Sequence, residues 1–252
     1  MGKFLRYDRP MITSMVQGTT PERVIELIKK SDALGADAFG IQTCKLEEKD
    51  RNIETYRRIF AAAEGKPTYV TNYRKGENRH TSLDDEKIGE HIIDIARAGA
   101  TLVDVMGDLY DRHPDELTTD PAAIDKQKRL IERIHAEGAE VLMSSHTMKY
   151  MEADRVLEIA MAQKERGADI IKIVTYANSE EEQLENLKTS LVLERELGAP
   201  FLLLAGGECN IHRRLGPMFG ASMWLCVAEH DEHATPVQPL ISQVKAICEN
   251  IK

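Results

Sequence analysis

The feature that most constrains the fold is the regular alternation of short apolar runs with longer amphipathic segments along the 252-residue chain. The apolar runs predict eight strands, at 11–16, 38–42, 68–72, 102–106, 140–144, 170–176, 201–204 and 223–228. Helical periodicity follows each run, and it predicts helices at 21–34, 53–64, 86–98, 122–136, 152–166, 180–197, 211–218 and 236–251.

The helix starts are marked by capping residues that stand directly before a proline. Thr20-Pro21, Asp120-Pro121 and Thr235-Pro236 have this form, which is typical of a first helical turn. Eight strand–helix units predict a (β/α)8 barrel of the α/β class. An open doubly wound sheet is the competing fold, but no GxGxxG fingerprint follows the first strand. No linker or composition shift divides the chain, so we expect one domain over 1–252.

Composition excludes several classes of partner. The formal net charge of −9 argues against nucleic acid and against an anionic membrane surface, since phosphate binding needs a basic face. No stretch approaches the ~18 apolar residues of a membrane span, and the first residues lack the apolar core of a signal peptide. The four cysteines form no CxxC pair, which favours reduced thiols and a cytoplasmic location.

A lysine lies inside the most apolar of the predicted strands. Lys172 follows Asp169-Ile-Ile and precedes Ile-Val, and side-chain alternation places it on one face with Ile170 and Val174. Burial lowers the pKa of a lysine amine, and the neutral amine is a nucleophile towards carbonyl carbon. The alternative is a snorkelling lysine or a buried ion pair.

Two further polar residues lie on neighbouring strands. His146 ends strand five, next to the strand of Lys172, and an imidazole there suits proton transfer beside an imine. The alternative is a structural histidine. Asp104, flanked by valines in strand four, is expected to face inward, either towards the lysine's surroundings or into a buried polar network.

The loops after strands seven and eight carry candidate ligand-binding groups. Arg214 is suited to gripping a carboxylate, although Arg213 and Arg214 also fit a solvated helix face. Gln238 is a second candidate, and its spacing from Thr235 equally fits a capping box. The segment Glu229-His-Asp-Glu-His233 contains side chains that can ligate a metal ion. It is predicted to be a loop without defined ligand geometry, so we predict no metal.

Four segments together resemble the type I 3-dehydroquinate dehydratases. They are Ser144-Ser-His146, Asp169-Ile-Ile-Lys172-Ile-Val, Arg214-Leu and Phe219-Gly-Ala-Ser222. The resemblance implies that Lys172 forms an imine with a ring ketone and that His146 moves the proton. It further implies that Glu77 bonds the histidine, that Arg214 and Gln238 hold the substrate carboxylate, that no cofactor is needed, and that the protein is a homodimer.

The chain departs from the family pattern where the family reads substrate hydroxyls. Gly40 and Gln42 stand where the family has a glutamate and an arginine, and Tyr73, next to Arg74, stands where it has another arginine. Met106 stands in place of a glutamate, and Ala234 in place of a serine. Tyr73, Gln42 and Asp104 remain predicted as substrate-binding residues. Losing one charged contact to a hydroxyl costs ~1.5–3 kcal/mol, so a relative of dehydroquinate with different ring substituents is an open alternative to dehydroquinate itself.

The sequence therefore predicts a lyase of the shikimate-pathway type. Its reaction would be the imine-mediated syn elimination of water from 3-dehydroquinate, giving 3-dehydroshikimate, or from a closely related β-hydroxy keto acid. The main alternative is an imine-forming lyase or class I aldolase acting on another carboxylated ketone. A metal-dependent barrel isomerase or aldolase using Glu229, His230 and His233, and a non-catalytic keto-acid binder, also remain open.

Overall fold

The computed structural model describes Phe4, residues 8–74 and residues 84–251. The strands are β1 (Met11–Val16), β2 (Ala38–Gln42), β3 (Thr68–Thr71), β4 (Leu102–Met106), β5 (Glu140–His146), β6 (Ile170–Tyr176), β7 (Phe201–Gly206) and β8 (Met223–Cys226). The helices are α1 (Pro21–Ala33), α2 (Ile53–Ala61), α3 (Asp85–Arg97), α4 (Pro121–Ala136), α5 (Ala153–Glu165), α6 (Glu180–Glu196), α7 (Ile211–Leu215) and α8 (Ile241–Asn250). Strand and helix alternate throughout, and the predicted (β/α)8 class is confirmed.

The eight strands form one sheet in the order β7-β6-β5-β4-β3-β2-β1-β8. The pairings with a described register are all parallel. The two ends of this order are linked near Ser222, whose backbone N–H donates to Phe201 O over 2.8 Å, while its carbonyl accepts from Met11 N over 3.0 Å. Ser222, the residue before β8, is thus hydrogen-bonded to residues of both β7 and β1.

Contacts between Cα atoms group the chain into two compact units. Unit 1 comprises the described residues of Met1–Met11, Val105–Ile131 and Val141–Trp224. Unit 2 comprises those of Ile12–Asp104, Glu132–Glu140 and Leu225–Lys252. Each unit is assembled from three separate stretches of chain, and a single domain over 1–252 stays a prediction.

Aspartates that precede strands fix the strand starts in the same way in both units. In unit 2, Asp37 Oδ2 accepts from Ile12 N over 2.8 Å, and in unit 1 Asp169 Oδ2 accepts from Val141 N over 2.8 Å. Each carboxylate accepts the backbone N–H of the second residue of the preceding strand, which gives that buried donor a partner. The device holds the register of β6, and therefore the position of Lys172 on it.

Side-chain caps define most helix starts as the sequence indicates. The caps are Thr20 for α1, Asn52 for α2, Asp84 for α3, Asp120 for α4 and Ser179 for α6. The prediction for the last helix is wrong, since α8 begins at Ile241 and not at Pro236. Thr235 does not cap there because its N–H and hydroxyl engage Gln17, and Gln243 makes the return bond to Leu240 N over 3.1 Å.

A buried arginine organises the loop after β4, in unit 1. Arg166, only 6% exposed, donates to Gly107 O and Gln127 Oε1, both at 2.8 Å, and to Thr118 O at 2.5 Å. Burial lowers the pKa of Arg166 below its ordinary value. Gln127 also donates to Gly107 O over 3.0 Å. The loop from Gly107 to Thr118 is thus fastened at both ends to one guanidinium.

We expect Arg166→Met to lower the free energy of unfolding by about 2–4 kcal/mol, because buried carbonyl groups lose their donors while the apolar volume is roughly retained. Urea denaturation followed by circular dichroism measures this. Arg129→Met, at an exposed position on α4, is the matched control and should change stability by less than about 0.5 kcal/mol. Equal effects of the two changes would show that the network contributes nothing.

Candidate active site

Lys172 lies in the middle of β6 and is 4% exposed, which confirms the predicted burial. In the sheet register it stands beside Ser144 of β5 and Leu202 of β7. Residues paired in register share a face, so the lysine is on the face of β5 that also carries His146. The strand alternation predicted from the sequence holds around this residue.

His146 ends β5 and pairs in register with Val174, two residues beyond the position of Lys172. Side chains two residues apart share a face, so His146 and Lys172 point to the same side of unit 1. Adjacent strands lie ~4.8 Å apart and two residues advance ~6.6 Å along a strand. The His146 and Lys172 backbones are therefore diagonal neighbours, with the histidine nearer the carboxyl end.

Glu116 holds the histidine. Its Oε2 accepts from the backbone N–H of His146 and lies 2.8 Å from Nδ1 of the same residue, and the two side chains are 26% and 16% exposed. A carboxylate oxygen at this distance requires the proton on Nδ1, which leaves Nε2 as the basic nitrogen. The sequence reasoning missed Glu116, which comes from the β4–α4 loop and has no motif of its own.

The arginines on α7 occupy different environments. Arg213 is half-buried and donates from Nε to Ala205 O, near the end of β7, over 2.7 Å. Burial lowers the pKa of Arg213 to about 10, against a smaller opposing effect of Tyr176. Arg214, the residue predicted from the sequence, is exposed. The structure thus places Arg213 beside the strand ends of unit 1, and the carboxylate-binding role of Arg214 stays a prediction.

Tyr176 completes the polar groups at the end of β6. A Cβ on Gly206, its register partner on β7, would lie 2.9 Å from the Tyr176 ring, so glycine is needed there to admit the tyrosine. The phenol donates to Met148 Sδ over 3.4 Å. Met148 is 68% exposed and has a φ of 53°, a conformation that a non-glycine residue seldom adopts.

In unit 2, the predicted residues Gln42 and Gln238 have different surroundings. Gln42 Oε1 accepts from Gln17 Nε2 over 2.6 Å, and Gln17 Oε1 accepts from Thr235 N over 2.9 Å. Gln238 is 6% exposed, and its Oε1 has no hydrogen-bond partner within the described part of the chain. The capping-box alternative for Gln238 is therefore wrong, and its predicted role towards a substrate stays a prediction.

Asp104 and Tyr73, both predicted as substrate-binding residues, bond to each other. Asp104 Oδ2 accepts from the phenol of Tyr73 over 2.6 Å and from that of Tyr69. Burial and the Asp104 carboxylate raise the pKa of Tyr69 well above its ordinary value, so the phenol remains a donor. This is the buried polar network that the sequence offered as the alternative role for Asp104.

The position of Gly40 on β2 is closed by a neighbouring side chain. A Cβ built on Gly40 would lie 2.1 Å from Met15 Sδ and 3.4 Å from Tyr69 Cδ1. Met15 and Tyr69 are its register partners on β1 and β3. The position where the family carries a glutamate therefore has no room for a side chain unless Met15 moves.

The segment from Glu229 to His233 does not assemble as a metal centre. Glu229 forms ion pairs with Arg23 at 2.8 Å and with Lys30 at 2.6 Å. Asp231 accepts hydrogen bonds from the backbone N–H groups of His233 and Ala234. Within residues 8–74 and 84–251, no three His, Cys, Asp or Glu side chains are grouped to hold a metal ion.

Glu77, the carboxylate predicted to bond the histidine, lies outside the described residues.

Unit 2 contains a cavity of about 540 Å³. It is lined by Glu48, Arg51, Glu86, Lys87, Glu90, His91 and Asp94, from α3 and the segment before α2. This described lining includes none of the predicted site residues that lie within 8–74 and 84–251, so the size of the cavity does not mark the candidate active site. Within the described part of the chain, no helix combines the length and apolar character needed to cross a membrane.

The fold and the buried lysine define a (β/α)8-barrel protein with an amine and an imidazole on adjacent strands. The profile of the type I 3-dehydroquinase family matches residues 12–252, and the chain belongs to this family. The 3-dehydroquinate dehydratase of Methanosarcina acetivorans is 25% identical over 238 residues, which cover 92% of each chain. That of Alkaliphilus oremlandii is 29% identical over 130 residues, and the match spans only 50% of either chain. The 3-dehydroquinate dehydratase structure from Geobacillus kaustophilus shares the fold with a TM-score of 0.79, at 19% identity, over 96% of this chain and 93% of that one.

His212, on the helix that carries Arg213, should make stability depend on pH. Burial, and secondarily the Arg213 charge, lowers its pKa to about 4 in the fold, against 6.5 ordinarily. Between these two values the unfolded chain binds a proton at this histidine and the folded chain does not. The free energy of unfolding therefore falls as pH drops from about 6.5 towards 4, by at most about 3 kcal/mol. Urea midpoints across this range measure the effect.

His212→Gln should remove this part of the pH dependence, because glutamine keeps a partner for Ser190, which lies 3.1 Å from Nε2, and does not titrate. His135→Gln, at an exposed position on α4, is the control and should leave the slope unchanged. An unchanged slope in His212→Gln would contradict the assignment.

Proposed function

We propose that the protein is an imine-forming dehydratase of 3-dehydroquinate or of a closely related β-hydroxy keto acid. The observation that carries the proposal is the buried Lys172 on the same face as His146, in a member of the type I 3-dehydroquinase family. The relatives are 3-dehydroquinate dehydratases, and the two residues are proposed as the nucleophile and the base of that reaction.

The first half of the reaction requires a neutral amine and a ketone. Lys172 Nζ adds to the carbonyl carbon, and the carbinolamine loses water to give a protonated imine, which draws electrons from the neighbouring carbon. His146 then takes a proton from that carbon through Nε2, since Nδ1 is bonded to Glu116. The product of these steps is an enamine and an imidazolium.

The second half expels the β-hydroxyl. The enamine electrons displace it from the β-carbon, and the imidazolium returns its proton so that the group leaves as water. Hydrolysis of the conjugated imine releases the enone and restores the Lys172 amine. No step in this sequence requires an oxidant or reductant.

Two residues are proposed to hold the substrate carboxylate. Arg214 keeps its predicted role as an exposed arginine on α7, next to Arg213, whose Nε is already engaged by Ala205 O. Gln238 keeps its predicted role, supported by its buried and unsatisfied Oε1. A planar guanidinium can engage both oxygens of a carboxylate.

A substrate other than dehydroquinate is the second candidate, and the interior of unit 2 favours it. Met15 fills the space in front of Gly40, Asp104 is engaged by two phenols, and Gln42 by Gln17. These positions match those that read substrate hydroxyls in the family. The substrate proposed here keeps the carboxylate, ketone and β-hydroxyl, and differs in its remaining ring hydroxyls.

The protein's setting and assembly also remain proposals. All four cysteines are free thiols, with Cys44 and Cys226 buried, which agrees with a reducing cytoplasmic location. A homodimer is carried over from the resemblance alone. Light scattering on the purified protein would give the assembly directly, and a monomer would remove that part of the proposal.

Borohydride trapping tests the nucleophile. We expect a reduced adduct at Lys172 by mass spectrometry, lost in Lys172→Met, because methionine fills the same space without an amine. His146→Ala should still form the adduct, while enone formation falls by about 10²–10⁴-fold. Lys188→Met, at a surface lysine, is the matched control. Full activity in both Lys172→Met and His146→Ala would refute the mechanism.

A substrate panel separates the two candidates. The second candidate predicts at least about tenfold higher kcat/KM for a keto acid that lacks the ring hydroxyls other than the β-hydroxyl than for 3-dehydroquinate, since each hydroxyl left without its contact costs ~1.5–3 kcal/mol. Enone absorbance measures turnover for both. A clear preference for 3-dehydroquinate would instead establish the first candidate and remove the second.

A further inference from the structure

We propose that Tyr176 is a specificity-determining residue of the Lys172–His146 site, and that its phenol donates a hydrogen bond to the carboxylate of the bound substrate. The inference rests on the proposed function for the identity of that substrate. Its structural part depends on unit 1 alone, because β5, β6, β7 and α7 all belong to this unit.

Tyr176 is the last residue of β6 and stands four residues beyond Lys172. Alternate residues share a face of a strand, so Lys172, Val174 and Tyr176 point to the same side. His146 pairs in register with Val174, which lies midway between the other two. The amine, the imidazole and the phenol therefore follow one another towards the carboxyl end of the strands, where (β/α)8 proteins bind their substrates.

Gly206 gives the tyrosine ring its place. It pairs in register with Tyr176 from β7, and a Cβ added there would lie 2.9 Å from the ring atom Cε2 and 3.1 Å from Cζ. Both distances are shorter than the ~3.5–4.0 Å at which carbon atoms pack. Even an alanine at this position would push the ring away from β7, so glycine fixes where the phenol stands.

The hydrogen-bond partner of the phenol is a weak acceptor. Tyr176 donates to Met148 Sδ over 3.4 Å, and this thioether is the acceptor that the described part of the chain provides. Thioether sulfur accepts weakly, whereas a hydrogen bond to an ionised carboxylate is about twice as strong as one between neutral groups. Exchange of the thioether for a carboxylate oxygen would therefore favour binding.

Met148 is fixed beside Tyr176 by backbone hydrogen bonds on either side of it. Thr147 N donates to Val174 O over 3.0 Å, and Tyr176 N donates to Lys149 O over 3.1 Å. The Met148 side chain is nevertheless 68% exposed. The bond between the phenol and the thioether thus lies where a ligand arriving from solvent can reach it.

The electrostatic surroundings of the phenol favour an anion. Arg213 Nε donates to Ala205 O, next to Gly206, and no carboxylate in the described part of the chain forms an ion pair with this guanidinium. Burial lowers the pKa of Arg213, and Tyr176 is the neighbouring group that opposes this effect. A phenol donor near a positive charge of this kind suits a carboxylate better than an uncharged hydroxyl.

Calorimetric titration with a ligand that cannot form an imine tests the contact apart from the chemistry. The first ligand is 3-dehydroquinate with its ketone reduced to an alcohol, and the second has hydrogen in place of the carboxylate. Tyr176→Phe should weaken binding of the first ligand by about tenfold to a hundredfold and leave that of the second unchanged, because a bond to a charged group is lost. Equal weakening for both ligands, or undiminished binding of the first, would overturn the proposal, as would failure of the first ligand to bind the unmodified protein.

Steady-state kinetics separates binding of the carboxylate from action on the reacting atoms. With the substrate that the protein turns over, Tyr176→Phe should raise KM by about tenfold to a hundredfold with little change in kcat, and should keep borohydride trapping at Lys172. Tyr150→Phe is the matched control, since that phenol bonds to Glu152 over 3.2 Å, and it should change neither constant. A fall in kcat at unchanged KM in Tyr176→Phe would refute the assignment.

Two further variants separate the contact from a structural role of the Tyr176–Met148 pair. Gly206→Ala displaces the ring and should also raise KM, with little added effect in the Tyr176→Phe background. Met148→Leu removes the competing acceptor and should leave KM unchanged or lower it, so a rise equal to that of Tyr176→Phe would contradict the proposal. If the unmodified protein forms no adduct at Lys172, the proposed function fails, while the calorimetric result still decides the role of Tyr176.

Discussion

Unit 1 depends on the charge of Arg166 being buried against neutral oxygen atoms. Placing a guanidinium in the interior is costly, and three short hydrogen bonds to Gly107, Thr118 and Gln127 offset that cost. The arrangement makes the loop between Gly107 and Thr118 part of the protein's interior rather than a surface connection. A carboxylate on such a loop can hold an imidazole in one orientation, which a mobile loop could not do.

The architecture could be read from the sequence because it depends on local patterns. Period-two apolar runs and capped amphipathic helices gave every strand and helix, and the boundaries were correct to within a few residues except at α8. That helix was misplaced because Thr235 has two possible partners, and its long-range bond to Gln17 prevails over the local cap. Sequence separation hides such a competition.

The candidate site was only partly predictable, and the difference has a physical origin. Lys172 and His146 are visible because a polar residue in an apolar strand breaks its pattern. Glu116 breaks no pattern, since acids are ordinary in loops and its left-handed φ is imposed by tertiary contacts. Which of Arg213 and Arg214 is the more buried depends on which face of the short helix α7 packs inward. Five helical residues show no clear periodicity from which this could be predicted.

The departures from the family pattern in unit 2 involve several residues that pack together, and not one substitution. A glutamate restored at Gly40 would meet Met15 Sδ at 2.1 Å from its Cβ, so the methionine would have to change as well. Two phenols already donate to one oxygen of Asp104, and burial raises the pKa of Tyr69 so that its phenol stays protonated. Tyr69 and Tyr73 thus donate hydrogen bonds to Asp104, while Met15 fills the space beside Gly40. A return to charged side chains at these positions would require several of them to change together.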